Sequence, residues 1–257
     1  MLNFKTAGSC FIIVIIAIAL LVYFFEINYY WFLIPVICFK VLIIYGSAKI
    51  QTDFYMKAFC SATTRDKEIA LTFDDGPNPE YTKTILSKLA EHNAPATFFL
   101  IGKNIKGNED IIKQMDAAGH MIGNHTYSHS FLIDFKSKNG FLYELNATSD
   151  IIYSIIKKRM KFFRPPYGVT TPNLAKASKA LNYTIIGWNI RSLDTTKDSE
   201  EKITSRVISQ IKPGAIILFH DTSEKTIKVV EHTLNFAAKN GFKIVSVESL
   251  LKIKGYA

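Results

Sequence analysis

From Thr6 to Phe25 the chain carries no charged side chain, and this run constrains its folding more than any other stretch. About 20 apolar residues rising ~1.5 Å each form a helix about 30 Å long, which matches the hydrocarbon core of a bilayer. After Glu26-Ile27-Asn28 a second apolar stretch runs from Tyr29 to Tyr45, containing Pro35 and interrupted only by Lys40, whose ammonium must snorkel or find a partner. So short a link forces a helical hairpin. Residues 1–50 therefore read as a membrane anchor of two transmembrane helices, with 51–66 as a linker. One signal anchor followed by an interfacial helix is an alternative. A cleaved signal peptide is a third, although the first apolar run exceeds the usual secretory core and no small-x-small site follows it. Lys5 on one side and Lys49 and Lys57 on the other, with Glu26 between, would place both ends in the cytoplasm by the positive-inside rule, but a bias of so few charges does not fix the topology.

Beyond residue 66 the composition becomes that of a globular domain, 67–257, long enough to bury a core of its own. The apolar share of the whole chain, 48%, excludes a disordered polymer. Cys10, Cys38 and Cys60 are the only cysteines, so the domain has neither a disulfide framework nor a thiolate metal site. The net charge of +9 is spread over helix faces without interleaved aromatics. That pattern argues against nucleic acid and favours an anionic glycan or membrane surface.

Short runs rich in Ile, Val and Phe alternate with amphipathic segments. Strands are expected at 69–73, 96–101, 120–123, 162–163, 184–188, 215–219 and 242–247. Helices are expected at 81–92, 110–118, 140–158, 172–181, 200–211 and 226–239, with Gly119 and Gly241 as stop signals. Alternating β and α units imply a parallel sheet, either open and doubly wound or closed, and seven strands favour a barrel lacking one unit.

Four segments can carry chemistry. Asp74 and Asp75 sit where an apolar strand gives way to Gly76-Pro77, at the strand end where α/β barrels keep their sites; capping of the next helix is the plainer role. His125 and His129, spaced i and i+4 after another strand, can face one ion, and with a carboxylate they make a facial set with open positions. In Arg164-Pro165-Pro166-Tyr167-Gly168 the prolines stiffen a loop that can hold the Tyr167 amide towards an oxyanion while Arg164 pins a carboxylate. His220, in Leu218-Phe219-His220-Asp221, is a candidate general acid.

Four such segments, in this order across 67–250, resemble the polysaccharide deacetylase family, carbohydrate esterase family 4. The resemblance implies a distorted (β/α)7 barrel, here preceded by the N-terminal transmembrane hairpin, and metal-dependent removal of acetyl groups from N-acetylated sugars. It implies Asp75, His125 and His129 as ligands of one divalent ion, Zn²⁺ first and Co²⁺, Ni²⁺ or Mn²⁺ after it. It implies Asp74 as general base tethered by Arg164, the Tyr167 N–H as oxyanion donor, Leu218 as a wall of the acetyl-methyl pocket, and His220 as general acid. The segment that usually reads Asp-x-x-Asp-Trp is Arg191-Ser192-Leu193-Asp194-Thr195 here. Asp194 is kept and by the resemblance pairs with His220, raising its pKa. Arg191 and Thr195 depart from the pattern; they suggest a wider, more positive mouth and a preference for anionic substrates, with Arg191 as a substrate-binding residue.

The expected function is a membrane-anchored hydrolase acting on the acetamido group of N-acetylhexosamine in a cell-wall or other surface polysaccharide, its catalytic domain outside the cytoplasm. The expected partners are an N-acetylated glycan and the lipid bilayer, not nucleic acid. Two alternatives stay open: a deacylase or deformylase of a lipid-linked amino sugar, which the lysine topology suits, and a catalytically silent glycan-binding membrane protein.

Overall fold

A computed structural model describes residues 3–257. Helix α1 (Phe4–Phe25) starts at Asn3, whose side chain accepts the Thr6 N–H while the Thr6 hydroxyl reaches back, and it stops at Glu26 in the left-handed region (φ 51°). A 3-10 turn over Tyr29–Phe32 leads into α2 (Leu33–Ala48). Pro35 falls in the first turn of α2, where its missing N–H leaves no hydrogen bond unmade. Stacked Phe11 and Phe39 rings, 4.4 Å apart, join the two helices. Both are long and apolar enough to cross a membrane, and almost none of their apolar surface is covered by protein.

The hairpin is built into the domain at its base. Phe4 N–H donates to Phe54 O (2.9 Å) and Thr170 N–H donates to Ser47 O (2.9 Å). Gly46 lies against the Phe54 ring so closely that a Cβ would overlap it. The stretch 51–66, expected as a linker, is folded: Phe54 is buried, and β1 (Ala58–Phe59) pairs with a domain strand. Its apolar residues are too few for a periodic signal, and the strand edge that receives them comes from residues more than a hundred positions later.

The domain proper runs β2 (Glu68–Asp74), α3 (Tyr81–Glu91), β3 (Thr97–Leu100), α4 (Glu109–Ala117), β4 (Met121–Asn124), α5 (Lys138–Ile156), β5 (Phe162–Phe163), α6 (Pro172–Ala180), β6 (Thr184–Ile186), β7 (Ile190–Arg191), α7 (Glu200–Ile208), β8 (Ile216–His220), α8 (Glu224–Lys239), β9 (Lys243–Ile244) and α9 (Val247–Leu251). All strand pairs are parallel, in the order β1-β6-β5-β4-β3-β2-β8-β7, with β9 beside the start of β2. The seven expected strands are present; β1 and β7 are the additions, each at one margin of the curled sheet. The result is a distorted (β/α) barrel left open between them.

Alternation along β2 separates two cores. Ile69, Leu71 and Phe73 pack outward against the helices with Phe98 and Phe219, whose rings lie 4.9 and 5.8 Å from that of Phe73. Ala70 belongs to the second core, with Phe99, Phe163, Trp188 and Leu218. Thr72 and Asp74 share the face of Ala70, and this parity delivers a carboxylate to the interior at the strand's C-terminal end.

Candidate active site

Strand ends bring the chemical groups together. The register of β2 against β8 sets Asp74 directly beside His220, and Asp75 follows with φ at 77°. Four further non-glycine residues with positive φ, Thr126, His129, Tyr167 and Leu193, lie in the loops around the same place, so backbone strain is concentrated here. Gly76 cannot be larger, because a Cβ would overlap the carboxylate of Asp221 beneath it. Asp221 is buried and accepts the Thr82 hydroxyl; burial pushes its carboxyl up to about 7.

Asp75 Oδ1 lies 3.5 Å from both His125 Nε2 and His129 Nε2. His125 is buried, and its Nδ1–H donates to the Arg164 carbonyl at 2.7 Å, which leaves the Nε2 lone pair aimed at Asp75. Burial drives the His125 pKa down to about 3, so the ring is neutral. Asp75 Oδ1 is buried and among the described residues has no hydrogen-bond partner. One donor atom from each of the three residues lies within 4.8 Å of the others. Acceptors converging without a shared proton are the arrangement a cation relieves, so these residues fit a divalent metal.

Asp74 stands on one side of this trio, buried, with Oδ2 3.7 Å from His125 Nε2 and Oδ1 accepting Arg164 Nη1–H at 2.8 Å. Burial raises its pKa and the Arg164 charge opposes the rise. Arg164 is wholly buried. Its guanidinium also donates to Thr72 Oγ1 (2.8 Å), Ile186 O (3.1 Å) and Gly187 O (2.9 Å), and it lies over the Phe99 ring at 4.2 Å. Every bond that fixes the fork goes to β2 or to the C-terminal end of β6 and the residue after it, all distant in sequence.

His220 stands on the other side. Its Nδ1 meets Asp194 Oδ1 at 2.8 Å, and its backbone N–H donates to Asp194 Oδ2 at 2.8 Å. Burial alone lowers an imidazole pKa, but the Asp194 hydrogen bond and charge overcome it and raise that of His220 to about 9. Burial likewise works to raise Asp194, yet His220 holds it below the usual carboxylate range. Ser192 Oγ and Thr226 Oγ1 complete the Asp194 shell at 2.9 Å each. The Tyr167 N–H has no partner among the described residues, and the Tyr167 ring lies 4.6 Å from that of His129. Leu218 is buried one residue pair inside His220, between Thr72 and Arg191.

Arg191 does not join this group. Its exposed guanidinium lies 5.7 Å from the Trp188 ring, in a cleft with Lys49, Gln51 and Asn189 at the hairpin base. Trp188 is buried, packed on Gly168 and 5.6 Å from the Arg164 guanidinium.

Glu144 is the residue the motifs did not reveal. From α5 it accepts the N–H of Tyr127 (3.0 Å) and of Ser128 (2.7 Å) and the Ser128 hydroxyl (2.8 Å), and it pairs with Lys136 (3.1 Å). It clasps the turn that presents both histidines. The visible signal was an acid on the buried stripe Phe141, Leu145, Thr148 and Ile152. Glu144→Gln is expected to cost about 1–3 kcal/mol in denaturant unfolding and to weaken metal binding about 10-fold or more, because two amides lose a charged acceptor. Unchanged metal affinity would show that the turn holds itself.

The polysaccharide deacetylase family profile matches residues 61–186. The chain is 39% identical over 168 residues to a peptidoglycan-N-acetylglucosamine deacetylase of Bacillus cereus, covering 65% of this chain but only 60% of that protein's own length. It is 31% identical to a peptidoglycan-N-acetylmuramic acid deacetylase of Bacillus subtilis, over 76% of this chain and 75% of the relative. The solved structure of a peptidoglycan N-acetylglucosamine deacetylase in complex with 4-naphthalen-1-yl-N-oxidanyl-benzamide superposes with a TM-score of 0.73 at 32% identity, over 77% of this chain and 94% of that one.

Proposed function

The chain belongs to the polysaccharide deacetylase family, and from that membership we propose that it is a metal-dependent hydrolase of the acetamido group of N-acetylhexosamine in peptidoglycan. Its hairpin holds it in the cell membrane with the catalytic domain on the extracytoplasmic side. The observation that carries the reading is the trio of Asp75, His125 and His129 flanked by a carboxylate held by Arg164 and an imidazole held by Asp194.

Asp75, His125 and His129 would hold the ion, Zn²⁺ by its donor set, and the ion supplies polarisation of the amide carbonyl and acidification of the attacking water. Asp74 takes the proton from that water as its oxygen bonds to the carbonyl carbon; burial has made this carboxylate a stronger base than a solvated one. The tetrahedral oxyanion that forms accepts the free N–H of Tyr167, fixed by Pro165 and Pro166. Leu218 closes the space beside the acetyl methyl. His220 gives its Nε2 proton to the leaving nitrogen as the C–N bond breaks, so that acetate and a free amine result.

Full-length protein in detergent is expected to hold about one divalent ion per chain. His125→Ala and His129→Ala should lose most of it, whereas Asp74→Asn should keep the metal and lose turnover. Equal metal content in all the variants, read by elemental analysis, would refute the ligand assignment.

A further inference from the structure

We propose that the loop after the second histidine, residues 130–136, is a second membrane contact that turns the mouth of the active site to the bilayer surface. The proposal rests on the reading of α1 and α2 as membrane-spanning. Phe131 and Phe135 are each 85% exposed and Leu132 is 61% exposed, in a chain whose other large exposed apolar residues are mostly those of the hairpin. The ridge is a built feature. Ile133 is buried beneath it, a 3-10 turn spans Ile133–Phe135, and Lys136 is tied to Glu144 at 3.1 Å, so three apolar side chains are held outward together.

Its position links it to the anchor. The segment 164–173 touches the ridge at both ends: the Tyr167 hydroxyl donates to His129 O at 3.4 Å, and Asn173 Nδ2 donates to Lys136 O at 3.2 Å. The middle of that segment carries the hairpin base through Thr170 N–H and Ser47 O. A rigid hairpin base and an apolar ridge thus flank one short loop, and a bilayer that receives the first lies close to the second. Phe and Leu suit the acyl boundary and have no polar tip for a sugar hydroxyl, while the exposed Lys138 beside them suits anionic headgroups. The substrate class that follows is N-acetylhexosamine displayed at the membrane, as a lipid-linked sugar or as glycan lying close to the surface.

The test uses full-length protein reconstituted in phosphatidylglycerol–phosphatidylethanolamine vesicles containing lipids brominated near the headgroup end of the acyl chain. In a Trp31→Phe background, with the emission of Trp31→Phe alone subtracted to remove that of the buried Trp188, Phe131→Trp should be blue-shifted and lose about half its emission to the bromines, whereas Lys239→Trp should be barely quenched. Native Trp31, read as the difference between the unsubstituted chain and Trp31→Phe, reports the hairpin. If Trp31 is quenched and the reporter at 131 is not, the ridge proposal fails and the anchor stands; if neither is quenched, both fail. Phe131→Ser with Phe135→Ser should leave kcat/KM on a water-soluble N-acetylated oligosaccharide within about 2-fold and lower it about 10-fold or more on a vesicle-borne lipid-linked sugar. Equal losses on both substrates would assign the ridge to sugar stacking and overturn the proposal.

Discussion

His220→Ala is expected to lower kcat by about 10²–10⁴-fold with little change in KM, because a general acid acts on the leaving nitrogen only as the C–N bond breaks. The pH dependence carries a second signature. The His220 pKa, raised to about 9, keeps the imidazole charged across neutral pH, so activity should persist to about that value and fall above it. Asp194→Asn removes the partner that opposes burial, and the alkaline limb should move down while bound metal stays constant. An unmoved limb would show that some other group titrates there. The same raised pKa contributes stability that is complete below the ordinary imidazole value of about 6.5 and is lost as pH rises through about 9. Urea midpoints should therefore fall over that window in wild type and less so in His220→Ala.

Arg164→Met is the second large effect. The guanidinium is fully buried, bonded to Asp74, Thr72 and two carbonyls, so its removal strands a buried carboxylate and should cost about 3–5 kcal/mol. Asp74 would lose the charge that opposes the upward pull of burial, and the acid limb of the rate profile should move to higher pH. Adding Asp74→Asn to Arg164→Met should recover part of the stability and none of the activity. If the double variant is no more stable than Arg164→Met, the cost belongs to packing on Phe99 and Trp188 rather than to an unpaired charge.

Much of the site could be read locally because each reactive residue sits at the end of an apolar run. Strand parity turns Asp74 inward, i and i+4 spacing pairs His125 with His129, and a proline pair stiffens the loop that presents the Tyr167 amide. Those are properties of a few neighbouring residues, which periodicity reports directly. The stretch 51–66 escaped because β1 has only two residues, and its neighbour in the sheet, β6, is remote in sequence.

The sequence by itself determined the apolar hairpin, the alternation of β and α units and the identity of the groups at the strand ends. These depend on interactions between near neighbours, where spacing and side-chain type decide the outcome. Tertiary structure alone decided that the Arg164 carbonyl sets the tautomer of His125, that its guanidinium is held by Thr72 and the end of β6, and that Glu144 clasps the histidine turn. It also decided that Arg191 lies beside the hairpin base and not among the reactive groups. Each of these contacts depends on the sheet register and on where the barrel stays open. Both are set by the packing of the whole domain, so no local pattern encodes them.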